Sequence, residues 1–252
     1  MSVVTRSAAA PPARRVLAQA RFETRTLLSN GEQLLVSLVL PALALVGLTL
    51  GSVPDLGPGP RADLALAGTL ALAVVSTAFT GQAISVGFDR RSGVLRLLGT
   101  TPLGRGGLLA AKALAVLSVL SVQVVVLGTL GVALGARVAP AGILPGLLTM
   151  LLGSAAFVAL ALLLAGTLRA EAVLALANLV WVLLLGLGTL VPTAELPGPL
   201  ARVAPLLPSG ALGDGLRTAL VDGGWAWGAY AVLVGWGLVA GALASRLFRW
   251  SG

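Results

Sequence analysis

Apolar residues in this chain come in long runs rather than in alternation with polar ones. Six stretches of about 20 residues or more, the length of helix that crosses a bilayer core of roughly 30 Å, follow one another. They are Leu34 to Val53, Leu64 to Phe88, Leu108 to Gly135, Ile143 to Leu168, Ala172 to Val191 and Trp225 to Leu247. Each predicts a transmembrane helix, because a segment in lipid must satisfy its own backbone hydrogen bonds and a helix does so internally. The first carries Pro41. One such run also fits a buried helix of a soluble protein; six in 252 residues do not. The predicted fold class is an all-α integral membrane protein with six transmembrane helices.

Three segments between or before the spans have their own pattern. In residues 14–30, RRVLAQARFETRTLLSN, the helical period places Val16, Leu17, Ala20, Leu27 and Leu28 on one side, with Arg14, Arg21 and Arg25 on an adjoining stripe; the same segment carries Glu23. This predicts an amphipathic helix in the membrane interface, its guanidinium groups among lipid phosphates; the alternative is a basic tail that only sets topology. The chain thus divides into an N-terminal segment, residues 1–33, and a six-helix transmembrane domain, residues 34–252. The connection between the second and third spans, about residues 89–107, holds a short helix from Ser92 to Leu98, with Ser92 as its cap, Gly99 to end it and Thr101-Pro102 as a turn. It is either a grip for a cytoplasmic partner or a solvated connector. The connection at about 192–224 contains five prolines and then the apolar piece Ala211 to Val221, too short to span, which reads as a re-entrant or interfacial helix.

Charge fixes an orientation. With the N-terminus inside, thirteen bases face the cytoplasm and Arg61, Arg137, Arg202 and Arg217 face outward, in keeping with the positive-inside bias. Six spans return the C-terminus to the cytoplasm. No apolar core precedes the arginines of MSVVTRSAAAPPARR, so no cleavable signal peptide is expected.

Composition narrows the function. Hydrophobic residues make up 57% and charged residues 10%, against about 25% charged in soluble domains, and the mean hydropathy is +1.00. The net charge of +8 is spread over span ends rather than gathered beside aromatics, which argues against nucleic acid as a partner. With no cysteine and no histidine, the chain lacks disulfides, Cys/His metal sites and any nucleophile that depends on a His base. No catalytic, cofactor-binding or metal-ligating set is expected. Lys112 follows Ala111 rather than the glycine of a phosphate-cradling loop, so ATP, if it drives this protein, is bound by another chain. Ser154 has no base to activate it and reads as a helix-packing residue. No span carries an ionised residue at its centre, which weighs against an ion-coupled carrier. Gln82, Gln123 and Asn178 are the strongest polar groups near mid-span, as pathway lining or as hydrogen bonds between helices.

The loop after the second span also carries a resemblance. Asp89, Arg90, Gly93, Leu97, Leu98, Thr101, Pro102, Leu103, Arg105, Leu108, Leu109 and Lys112 stand in the order shown by the permeases of ABC-2 type transporters, with Asp89-Arg90 where that family usually has a Glu-Arg pair. FETRTLLSNGEQLLVSLVLPALALVG resembles that family's interfacial helix and proline-bearing first span, and LPGPLARVAPLLPSGALGDGLRTAL its outer segment before the last span. The resemblance implies a half-transporter in a bacterial cell membrane: two six-span permease subunits, identical or not, with two copies of an ABC ATPase that bind ATP and Mg. It implies that Asp89, Arg90, Gly93, Thr101, Pro102 and Arg105 form the ATPase-coupling loop, that Arg21, Glu23 and Arg25 add contacts, and that Glu32 pairs with a base of the loop. Export of a drug-like, antibiotic or lipid-like substrate follows from the same likeness. Haem or cytochrome-assembly export, and a scaffold that recruits a cytoplasmic partner without transport, are the alternatives.

Overall fold

The computed structural model describes residues 10–29, 31, 35–99 and 101–248, the side chains of Val36, Arg96 and Arg105 excepted. Glu32 therefore lies outside the described residues. Among those residues every regular element is helical. Helix α1 covers Pro12–Ser29. A π turn, Leu35–Val39, runs into Leu40–Leu50, and together they form α2. The long helix α3, Arg61–Arg91, is interrupted by a π segment at Val75–Gly81. After it come the short α4, Val94–Gly99, then α5, Gly104–Ala133, and α6, Ile143–Thr167. Helix α7, Ala170–Thr189, ends in a π turn; α8 covers Pro208–Leu220 and α9 Trp227–Leu247.

Five helices are long and apolar enough to cross a membrane: α3, α5, α6, α7 and α9. Helix α2 is apolar but shorter. At about 1.5 Å per residue its described turns reach only part-way across a hydrocarbon core, whereas the sequence predicted a span as far as Val53. Its end is set at Gly51, which turns extended, and by Arg61. The Arg61 guanidinium donates to the carbonyls of Leu48 (2.6 Å) and Pro54 (2.9 Å), closing the C-terminal end of α2. This is an all-α, multi-pass membrane protein.

Helix α3 is the axis of the bundle. From Asp63 to Ala83 every side chain is buried, against α2, α5, α6, α7 and α8. Its π segment aims polar groups at its neighbours. Thr77 and Gln123 of α5 exchange hydrogen bonds (2.9 and 3.2 Å), and the Gln123 amide also donates to the Ser37 carbonyl in α2. Trp181 of α7 donates to Ser76 Oγ at 2.9 Å. A π turn shifts side chains off the 3.6-residue stripe, and here it gives α3 polar links to two other helices, α5 and α7. Phe79 packs edge-to-face on Phe157 of α6, ring centroids 6.1 Å apart.

Helices α6 and α9 approach closely where Gly237 faces Ala156, the small-residue contact that lets helices meet without a hydrophobic driving force. Helix α8 is buried on nearly all sides by α3, α6, α9 and the end of α7. The helix read from the sequence as re-entrant or interfacial is thus a plug inside the bundle, as the first of those readings has it, and does not lie on the surface.

Candidate coupling layer and α1–α5 groove

The end of the bundle formed by the close of α3 and α6 and the opening of α5 gathers the charges. Lys112, in the third turn of α5, is 3% exposed and reaches Asp89 Oδ2 at 2.8 Å and Glu23 Oε2 at 3.1 Å. The other Glu23 oxygen accepts from Gln19 Nε2 at 3.0 Å. One ammonium thus joins α1, α3 and α5. Burying a charge is costly unless it is paired, and two carboxylates, one of them also held by Gln19, meet that condition.

Its neighbours hold helix ends. Arg90, the residue after Asp89, is turned inward and donates to the Leu168 carbonyl at the C-terminal end of α6, where a cation meets the negative pole of a helix. Arg91 pairs with Glu171 in the first turn of α7, both exposed. Arg15 of α1 donates to the Pro102 carbonyl.

Helix α4 rides above this layer. Ser92 was expected to cap it. Instead its hydroxyl donates back to the Phe88 carbonyl (2.9 Å) and ends α3, because the chain reverses at Gly93 before α4 begins. Gly93 has φ +75, a left-handed conformation suited to glycine, with open space where a Cβ would stand. On α4, Leu95 is buried while Val94 is 38% and Leu97 68% exposed. Thr101 donates to the Leu98 carbonyl at 2.6 Å and Pro102 is exposed, forming the turn into α5. The Arg105 backbone lies in the first turn of α5, and its side chain is outside the described residues.

Helix α1 runs beside the first half of α5. Val16 lies next to Gly107, Glu23 meets Lys112, and Leu28 shares a groove with Leu114 and Ser118. Leu17, on the apolar side that the sequence assigned to this interfacial helix, is 56% exposed. The face turned to the bundle is centred on Ala20 and Glu23, because the Lys112 ion pair fixes the rotation of α1. Arg14, Arg21 and Arg25 are exposed, the last two along the groove.

The three mid-span polar residues part company. Gln123, 1% exposed, is the hub between α2, α3 and α5. Gln82 is 2% exposed, at the start of the last α-helical stretch of α3. Asn178 faces out of the bundle and donates only to the Leu174 carbonyl of its own helix. Ser154 donates to the Met150 carbonyl at 2.6 Å and is spent on local packing.

A second charged centre, at the other end, went unread in the sequence. Helix α7 breaks at Gly188 (φ +90), and Arg217 of α8 closes the break by donating to the carbonyls of Gly188, Thr189 and Leu190 at 3.0, 2.8 and 2.8 Å. Asp214 accepts from Arg217 at 3.1 Å and from both the backbone and hydroxyl of Thr193. The signal was present: Asp214 and Arg217, three residues apart, sit in an otherwise apolar piece. Such a pair in an apolar helix faces the protein interior.

Comparison with known proteins gives one result. Residues 57–246, from the loop before α3 nearly to the end of α9, match a family described as ABC-2 family transporter protein. Comparison with curated proteins gives no match. The matched region holds the buried axis, α4, the α8 plug and the charged layer apart from Glu23 and Arg15 of α1, and covers well over half of the sequence: the chain belongs to the ABC-2 transporter family.

Proposed function

We propose that this protein is the permease subunit of an ATP-driven exporter, moving a drug-like, antibiotic or lipid-like substrate outward from the cytoplasm of a bacterial cell, with a separate ABC ATPase as its motor. The family supports a membrane permease that works with an ATPase. On this reading the end carrying Lys112, Arg90 and α4 faces the cytoplasm, both termini lie there, and the permease pairs with a second copy or a relative around two ATPase subunits. ATP and Mg bind the ATPase.

The observation that carries the reading is the placement of α4. It is joined by a two-residue turn to the only described span that is buried throughout its core, and it presents Val94 and Leu97 outward while the charges beneath it are paired within the chain. A push on α4 therefore enters the bundle through α3 rather than dissipating in a loose loop. Asp89, Arg90 and Glu23 act at one remove, holding the platform, while Val94, Leu97 and Pro102 meet the ATPase.

Co-purification with the product of a neighbouring ATPase gene in mild detergent, followed by ATP hydrolysis in liposomes, tests this. Wild type is expected to hold the ATPase, and Val94→Glu with Leu97→Glu to release it while still inserting. An unchanged complex in that double variant would remove α4 from the contact; no complex in wild type would favour a membrane scaffold.

A further inference from the structure

The groove between α1 and α5 has about 710 Å³ of space and is lined by Leu17, Ala20, Arg21, Arg25, Leu28 and Leu114, among others. Its two ends differ in chemistry. Arg21 and Arg25 stand one helical turn apart on the same edge, the i, i+4 relationship that makes neighbours of them. Both are exposed, and among the described residues neither guanidinium has a hydrogen-bond or ion-pair partner. Nearby Lys112, Arg90 and Arg91 are all engaged within the chain. The rest of the groove makes no polar demand: the Thr24 and Ser118 hydroxyls are spent on the Ala20 and Leu114 carbonyls, at 2.8 Å each. Leu28 and Leu114 form an apolar wall along α5, in the direction in which that helix enters the bilayer.

We propose that this groove binds one anionic phospholipid, its phosphate between Arg21 and Arg25 and an acyl chain along Leu28 and Leu114. Two uncompensated guanidinium groups suit the oxygens of a phosphate, which they meet in forked, charge-assisted hydrogen bonds. A zwitterionic lipid brings its own cation and leaves the pair half-neutralised. A soluble anion leaves the apolar wall wet. The proposal rests on reading this end of the bundle as a membrane–water boundary, and its assay requires neither ATPase nor transport, so it stands or falls separately from the exporter reading.

The purified chain in detergent is offered phosphatidylglycerol and phosphatidylcholine of identical acyl chains, and retained lipid is counted by native mass spectrometry. Wild type is expected to retain phosphatidylglycerol by about tenfold over phosphatidylcholine. Arg21→Gln with Arg25→Gln is expected to bring the ratio to within about twofold, and Arg14→Gln, outside the groove, to leave it as in wild type. Ser118→Trp fills the apolar part without touching either charge and is expected to lower retention of both lipids. A ratio unchanged in the double arginine variant overturns the site. So does displacement of the lipid by millimolar inorganic phosphate, or wild-type retention in Ser118→Trp, either of which would mark a bare phosphate site.

Discussion

Lys112 Nζ lies 2.8 Å from Asp89 Oδ2, across the gap between the end of α3 and the third turn of α5. With Glu23 on its other side, the ammonium separates two carboxylates that would otherwise face each other. Lys112→Met is therefore expected to destabilise the protein by about 3 kcal/mol, the cost of leaving buried charges without their partner. Asp89→Asn keeps the Glu23 pair, and Asp89 is itself 28% exposed, so the loss should be smaller. Thermal unfolding in detergent gives the order; Lys112→Met as stable as wild type would refute the network.

At the opposite end, Arg217→Ala leaves three carbonyls without their donor and Asp214 without its cation. A loss of about 3 to 5 kcal/mol is expected. Arg217→Lys, a point charge in place of a planar fork, should recover only part of it. The yield of monodisperse protein and its melting temperature report both, and equal behaviour of the alanine and lysine variants would mean that the guanidinium geometry is irrelevant.

Two glycines in left-handed backbone should respond unequally. Gly188→Ala places a Cβ 2.4 Å from Gly210 Cα, a backbone atom that cannot swing aside, and should prevent proper docking of α8. Gly93→Ala meets open space and pays only for its φ of +75, about 1 kcal/mol. Size-exclusion profiles of the two variants in detergent separate them; similar profiles would show that the α7–α8 contact yields more readily than its geometry implies.

Replacing Gln123 by Leu unpairs Thr77 and the Ser37 carbonyl and should cost roughly 1 kcal/mol, the scale of polar contacts between membrane helices. Asn178→Leu, in contrast, should leave thermal stability unchanged, since that amide serves only its own helix. Equal losses in the two variants would contradict this division of roles.

Topology has a direct reporter because the chain contains no cysteine. A cysteine replacing the exposed Pro197 is expected to react with an impermeant reagent on intact cells, and one replacing Leu97 only after the cells are opened. The reverse pattern would invert the orientation.

The apolar runs marked α3, α5, α6, α7 and α9 to within a few residues, because lipid demands length and apolarity and little else of a span. The π turns in α3 and α7 left no such trace. Val75–Gly81 reads as ordinary helix in sequence, and only its contacts with Gln123 and Trp181 select the wider turn. Of the site residues, the Asp89–Arg105 loop stood out through its order of residues. That Asp89 and Arg90 turn inward was not legible, since their partners Lys112 and Leu168 are distant in sequence. Arg217 was read as an outer base; its spacing from Asp214 in an apolar piece pointed inward, but the three carbonyls that it caps become its neighbours only in the fold.

The burial of α3 also bears on how the bundle is assembled. Of the helices that surround this second span, only α2 precedes it; α5, α6, α7 and α8 are all synthesised later. Ser76 and Thr77 therefore emerge before Trp181 and Gln123 exist to receive them. The nascent helix must wait, with its polar middle in lipid or in the insertion machinery, until the C-terminal half closes around it. A ribosome halted before α7 would leave an axle without its wheel.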